Sequence, residues 1–184
     1  MKTYKFRRLG LGAYLVDTDA FDDHRGYVTE GYNKGIFAKN GIRANFVQYN
    51  LSQSKHGVMR GLHFQKDPHS QARFIRCVYG KVFDVAVDVR KGSKTFGQHV
   101  SATISAQDKT AMYLPSGFAN GFVVLSKEDA VMVYLVDKYF APKYAAGLAY
   151  DDPAIGIKWP VVPTLLSKKD RNWPTLKQLK DSYG

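Results

Sequence analysis

One cysteine, Cys77, stands among 184 residues, so no disulfide can form within the chain. That excludes a small secreted scaffold held by bridges and fits a reducing compartment, and a cytoplasmic protein is expected. No Pro-, Gly- or Ser-rich tract reads as a linker. No apolar run approaches the roughly 20 residues of a membrane-spanning helix, so no membrane partner is expected. The basic start Met1-Lys2-Thr3-Tyr4-Lys5-Phe6-Arg7-Arg8 is followed only by the short apolar stretch Gly12-Ala13-Tyr14-Leu15-Val16. A secretory signal peptide is therefore not expected. Histidines at metal-ligand spacing are missing: His24, His56, His63, His69 and His99 are scattered, and two residues after His63 stands Gln65. No metal is expected. The Gly-x-Gly-x-x-Gly fingerprint of a dinucleotide fold is missing too.

Acidic residues are also scarce, 16 against 27 Lys and Arg, which gives a formal net charge of +11. Such a surface attracts anions. No segment gathers the charge, since even Ser167-Lys168-Lys169-Asp170-Arg171 is interrupted by an acid. Nucleic-acid binders concentrate basic residues in a stripe, so a phosphorylated small substrate fits better.

What is present reads as one domain over residues 1–184, long enough to bury a core. Aromatic residues make up 14% of the chain, which suits half-buried strands. The clearest pattern is Lys81-Val82-Phe83-Asp84-Val85-Ala86-Val87-Asp88-Val89. It alternates with period two, and Phe83, Val85, Val87 and Val89 form a wholly apolar face. Arg90-Lys91-Gly92-Ser93-Lys94 follows as a turn. Further strands are expected over residues 12–17, 26–32, 45–52, 57–65, 72–79, 97–105, 110–114, 121–125 and 130–137. Many short strands separated by turns predict a mainly β sandwich or barrel. Two short helices are expected, over 33–39, ending near Gly41, and over 174–183, with Pro174 in the first turn.

Several residues in these elements can carry chemistry. Alternation puts Gly61, His63 and Gln65 on one strand face, and Arg60, Leu62 and Phe64 on the other. His63 is then either a core histidine or a proton carrier with room beside it. Asp170, in Leu166-Ser167-Lys168-Lys169-Asp170, is either a helix-capping partner of Ser167 or an acid that orients a histidine. Tyr134, in the apolar segment Val131-Met132-Val133-Tyr134-Leu135-Val136, needs a partner for its hydroxyl. Arg60, Arg73 and Arg76 lie in strands, and each is either solvated or faces an anion; Arg76 shares a face with Phe74, opposite Arg73.

Six segments together resemble the dTDP-4-dehydrorhamnose 3,5-epimerase family. They are Phe21-x-Asp23-x-Arg25-Gly26, Arg60-Gly61-Leu62-His63-Phe64-Gln65, Phe83 through Lys91, Pro115-x-Gly117-Phe118-Ala119-x-Gly121-Phe122, Asp151 through Pro160, and Leu166-Ser167-x-Lys169-Asp170. They come in family order and span nearly the whole chain. The resemblance implies a cupin-type jelly-roll β-barrel with a few short helices, working as a homodimer without cofactor. It implies an isomerase acting on a nucleotide-diphosphate 4-keto sugar, inverting C3, C5 or both through an enolate. His63 matches the base, Asp170 its partner and Tyr134 the acid on the opposite sugar face. Arg60 matches a residue near the sugar and diphosphate. Phe21, Arg25, Glu30, Gln48, Asn50 and Tyr139 match positions that grip the nucleotide, some of them across the dimer.

Three positions depart from the family pattern. Arg73 replaces a lysine, Asn120 replaces a histidine in Phe-Ala-His-Gly, and Tyr49 replaces an acid. All three bear on which carbon is inverted and which nucleotide is held. Alternatives are a single-centre epimerase, an enzyme for CDP- or GDP-linked sugars, and a sugar-nucleotide binding protein without turnover.

Overall fold

The computed structural model describes residues 4–183; Met1, Lys2 and Thr3 of the basic start, and Gly184, lie outside the described residues. Strand follows strand: β1 (Tyr4–Gly10), β2 (Ala13–Thr18), β3 (Ala20–Asp23) and β4 (Gly26–Thr29). After the helix α1 (Lys34–Lys39) come β5 (Gln48–Ser54), β6 (Met59–Gln65), β7 (Arg73–Tyr79) and β8 (Lys81–Asp88). β9 (His99–Ser105), β10 (Thr110–Leu114), β11 (Phe118–Val124), β12 (Ala130–Val136) and β13 (Ala145–Gly147) complete the sheets, and α2 (Leu176–Asp181) closes the chain.

Two antiparallel sheets face each other, one in the order β1-β2-β10-β7-β12-β5 and one in the order β13-β6-β11-β8-β9. The arrangement is mainly β and jelly-roll-like. Between the sheets lies a core of Leu15, Ile75, Met112 and Met132 from one, and Val82, Ala86, Ile104 and Val124 from the other. The outer face of the second sheet is also covered: Met59, Leu62, Val85, Val87 and Val123 pack against Leu148, Ile155 and Leu179 of the C-terminal segment. That explains β8. Its apolar face is covered by the chain's end, and its other face, including Asp84 and Asp88, is just as buried. On the outer face of the first sheet, α1 lays Phe37 against Phe74, and Tyr32 and Phe46 pack on the same rings.

Local chemistry sets the element ends. Asn33 accepts the Ile36 N–H and starts α1, while Gly41, at φ +85°, ends it. In α2 the expected start is displaced. Thr175 accepts the Gln178 N–H and Gln178 Oε1 accepts the Thr175 N–H, so this reciprocal cap leaves Pro174 outside the helix rather than in its first turn.

One irregularity changes the site. β6 and β11 slip register between Asn120 and Phe122. Gly61 and Gly121 meet there: a Cβ on Gly61 would fall 2.5 Å from Gly121 Cα, and one on Gly121 would fall 2.7 Å from Arg60 O. Gly61 also sits at φ +142°, where side chains are disfavoured. The slip overturns the expected alternation. Arg60 and His63, three residues apart, line one cavity, while Met59 and Leu62 face the outer core. Gly121→Ala, whose cost is steric rather than conformational, should lower stability by about 1–3 kcal/mol. Urea unfolding measures that loss, and an unchanged midpoint would mean the two backbones can part freely.

Candidate active site

The inner faces of β7 and β12 change character along their length. Ile75 and Cys77 belong to the core, but Arg73 reaches into a cavity; Met132 belongs to the core, and Tyr134 lines the same cavity. β5 adds Gln48, Asn50 and Ser52, each separated by an outward residue. From the facing sheet come Arg60, His63, Asp84 and Asn120. The space has a volume of about 540 Å³. His63 and Tyr134 therefore enter one cavity from opposite sheets.

His63 is tied to the C-terminal segment. Its Nε2 lies 2.5 Å from Asp170 Oδ1. Asp170 is 5% exposed and opens a short 3-10 turn, Asp170–Asn172. Its N–H donates to Ser167 Oγ at 3.0 Å. Asp170 thus contacts both Ser167, through its backbone N–H, and the imidazole, through its carboxylate, while the turn itself has no side-chain cap. Burial pushes its carboxyl up, but hydrogen bonds with His63, Ser167 and Trp173 outweigh this and hold it below the ordinary carboxylate range. The carboxylate accepts Nε2–H, which leaves the lone pair on Nδ1.

Arg73 lies deep in the cavity. Its Nη1 donates to Asn120 Oδ1 at 3.3 Å, and Asn120 Nδ2 donates to Asp84 Oδ1 at 2.6 Å and Val85 O at 2.9 Å. Among the described residues, Arg73 Nε and Asp84 Oδ2 are buried with no hydrogen-bond partner. Desolvation lowers the guanidinium from its ordinary value. Burial pushes the Asp84 carboxyl up to about 7, against the opposing pull of Asn120 and Arg73. Arg76, on the other face of β7, donates to Thr18 Oγ1 and Lys109 O, under the N-terminal strands rather than in solvent.

Arg60 spans the mouth, donating through Nε to Ser54 Oγ at 2.8 Å and through Nη2 to Gln53 O at 3.1 Å. Gln65 does not serve the cavity's polar wall alone. It accepts the Ala141 N–H at 2.6 Å and donates to His69 O at 2.8 Å, which ties down the loop after β12. Gln48 accepts the Phe140 N–H of the same loop.

Four expected site residues do not line this cavity. Phe21 and Arg25 lie on the β3–β4 hairpin, where Arg25 pairs with Asp23. Glu30 accepts from the Tyr4 hydroxyl. Tyr139 is 69% exposed beside Phe140, which does line it. Tyr49, the departure expected to affect nucleotide choice, points away from the cavity and is 61% exposed, because β5 alternates and Gln48 and Asn50 take the inner face. Asp84, Lys169 and Trp173 also line the cavity, although the sequence alone gives them no role there. The alternation of β8 already set Asp84 on the face opposite Val85; what was not legible was that this face is interior.

Among the described residues no three His, Cys, Asp or Glu side chains gather as metal ligands. No helix among them is long and apolar enough to cross a membrane.

The whole chain has close counterparts. A curated dTDP-4-dehydrorhamnose 3,5-epimerase from Methanothermobacter thermautotrophicus is 40% identical over 182 residues, 97% of this chain and 97% of the relative. A dTDP-6-deoxy-D-glucose-3,5-epimerase from Legionella pneumophila, solved in complex with dTDP-4-keto-L-rhamnose, superposes with a TM-score of 0.91 at 34% identity, covering 99% of this chain and 96% of that one. A 3'-monoepimerase from Streptomyces bikiniensis, in complex with dTDP-quinovose, superposes with a TM-score of 0.86 at 35% identity, covering 94% and 87%. A family model described as dTDP-4-dehydrorhamnose 3,5-epimerase matches residues 11–178, a span that takes in both sheets' cavity residues and the His63–Asp170 pair. On the family model and these relatives, the chain belongs to the dTDP-4-dehydrorhamnose 3,5-epimerase family.

Proposed function

We propose that the chain epimerises a dTDP-linked 6-deoxy-4-keto-hexose at carbons beside the ketone, by proton removal and return. The observation that carries this reading is the pair of proton carriers on opposite walls: His63, oriented by Asp170, on one sheet and Tyr134 on the other. A ketone at C4 makes the hydrogens on C3 and C5 acidic, because the carbanion left behind is an enolate. His63 Nδ1 takes the proton from one face. Asp170 holds the ring and supports the imidazolium, which contributes on the order of 10²–10⁴-fold. Tyr134 returns a proton from the opposite face, and the centre inverts.

Charge then develops on the C4 oxygen and needs a fixed counterpart. Arg73 fits that role, because its guanidinium is buried in the cavity with Nε unpartnered. Asn120 steadies the fork through Oδ1 and donates its own N–H groups to Asp84 and Val85. Arg60 at the mouth fits the diphosphate. Inversion at a single carbon is the second reading. It is favoured by two of the family departures, Arg73 and Asn120, lying in the cavity itself, and by similarity to a protein named as a 3'-monoepimerase.

The working unit in this reading is a cytoplasmic homodimer. Phe21, Tyr27 and Val28 on the β3–β4 hairpin are 49%, 52% and 68% exposed, and Tyr49 and Leu51 on the edge strand β5 are 61% and 62% exposed. Such apolar surface suits an interface between two copies. Phe21, Arg25, Glu30 and Tyr139, which do not line their own chain's cavity, would then serve nucleotide binding at or near that contact. A buried, unpaired Cys77, its thiol pushed up to about 11 by burial, accords with a reducing compartment.

Incubation with dTDP-4-keto-6-deoxyglucose in heavy water should place deuterium at C3, C5 or both, as read by NMR. His63→Ala should slow labelling by about 10²–10⁴-fold while nucleotide binding persists. Wild-type protein that binds this sugar nucleotide and never labels it would sink the proposal. Tyr134→Phe should separate the two halves of the reaction: label enters faster than the centre inverts, and a variant that inverts at the wild-type rate would remove Tyr134 from the scheme. Asp84 gives a stability test. Its folded-state value of about 7 lies above the ordinary carboxylate range, so the folded chain holds this proton longer than the unfolded chain. Its contribution is therefore fully present below pH ~4 and lost as pH climbs towards 7, by at most about 1.4 kcal/mol per pH unit. Urea midpoints for Asp84→Asn should lack that decline, whereas parallel wild-type and variant curves would count against a buried ionising carboxyl.

A further inference from the structure

Trp173 has no part in the scheme above, yet it touches both members of the dyad. It follows directly on the 3-10 turn that begins with Asp170. Its Nε1–H donates to Asp170 Oδ1 at 3.2 Å, the same oxygen that lies 2.5 Å from His63 Nε2. Its ring stands edge-on to the imidazole, with centroids 6.0 Å apart and planes at 71°. An indole N–H is a donor only, so this bond has one direction.

The fold makes a seat for that ring. Gly147 on β13 lies opposite His63 in register. A Cβ on Gly147 would fall 2.2 Å from the Trp173 ring. Gly147 has no left-handed backbone to explain it, so the space for the indole is what calls for glycine. On another side Lys169 Nζ stands 5.0 Å from the ring centroid. The indole is thus bracketed by strand backbone and a cation, with its N–H aimed at Asp170.

We propose that Trp173 is a positioning residue for the reaction: its N–H shares Asp170 Oδ1 with the imidazole and holds in place the carboxylate that aims His63. The proposal rests on His63 being the base. The imidazole needs such support, because its side chain is 42% exposed and Asp170 reaches it from a turn rather than from a strand. The shared oxygen has an electrostatic consequence as well. A second donor stabilises the carboxylate and draws charge away from the imidazole. Without it, the Asp170 carboxylate is less stabilised and takes up its proton at higher pH, which loosens its hold on the imidazole.

Two variants test this by different routes. Trp173→Phe keeps an aromatic ring and deletes the donor. Gly147→Ala leaves the dyad and Trp173 intact but drives the indole off its seat. Carbon-13 NMR of the Asp170 carboxyl in the free protein, and the pH profile of kcat/KM on dTDP-4-keto-6-deoxyglucose, are the readouts. In both variants the Asp170 midpoint should rise and the acid limb of the profile should move up by about half a unit, roughly a threefold loss on that limb. KM and the high-pH plateau should hold. An Asp170 midpoint that stays put in both variants overturns the proposal, as does a loss equal at every pH with a raised KM, which would leave Trp173 a wall of the cavity. The NMR arm needs no turnover, so failure of the epimerase reading and failure of the Trp173 assignment are separately visible.

Discussion

At Gly61 and Gly121 two strand backbones meet with no side chain between them, and the site depends on that contact. A regular β6 would place Arg60 and His63 on opposite faces. The register slip beside the two glycines brings both into the cavity, and sends Met59 and Leu62 together into the outer core. One irregularity thereby joins a guanidinium at the mouth to an imidazole on the wall. Covering the outer face of the same sheet with residues 148–183 serves the site too, because that segment delivers Asp170 to His63. Packing of the chain's end and orientation of the proposed base are one event.

Regular strands were legible in the sequence because alternation has a single cause, a face turned to apolar neighbours. β8 and β10 follow the expected spans closely, and Arg73 and Arg76 take opposite faces of β7 as alternation required. What was not legible has equally specific causes. β1 alternates Tyr4 and Phe6 with Lys5 and Arg7, and its charges read as a basic start rather than as a strand's outer face. β3 and β13 span only four and three residues and carry too little pattern. Alternation alone puts Arg60 on the wrong face, because a slip at two glycines leaves no periodic trace. The pair His63 and Asp170, 107 residues apart, came from resemblance to a family and not from spacing.

The cavity floor carries the chain's own character. A lysine and a histidine at positions 73 and 120 would give a compact cation and a ring able to carry a proton. Arg73 and Asn120 give a planar fork and an amide that can only bridge. The bridge has a definite polarity: Asn120 must present Oδ1 to Arg73, because both acceptors on its other side, Asp84 Oδ1 and Val85 O, require its N–H groups. Asp84 thus fixes the amide, and the amide steadies the arginine. The charge that faces a developing enolate is held by a buried carboxyl two contacts away. Any change in proton occupancy at Asp84 alters the field at the ketone without touching the substrate. In the proposed reaction, His63 and Tyr134 would supply the same proton chemistry to either carbon, so a preference between C3 and C5 would follow from where that fork points, set from beneath the cavity by β8 and β11.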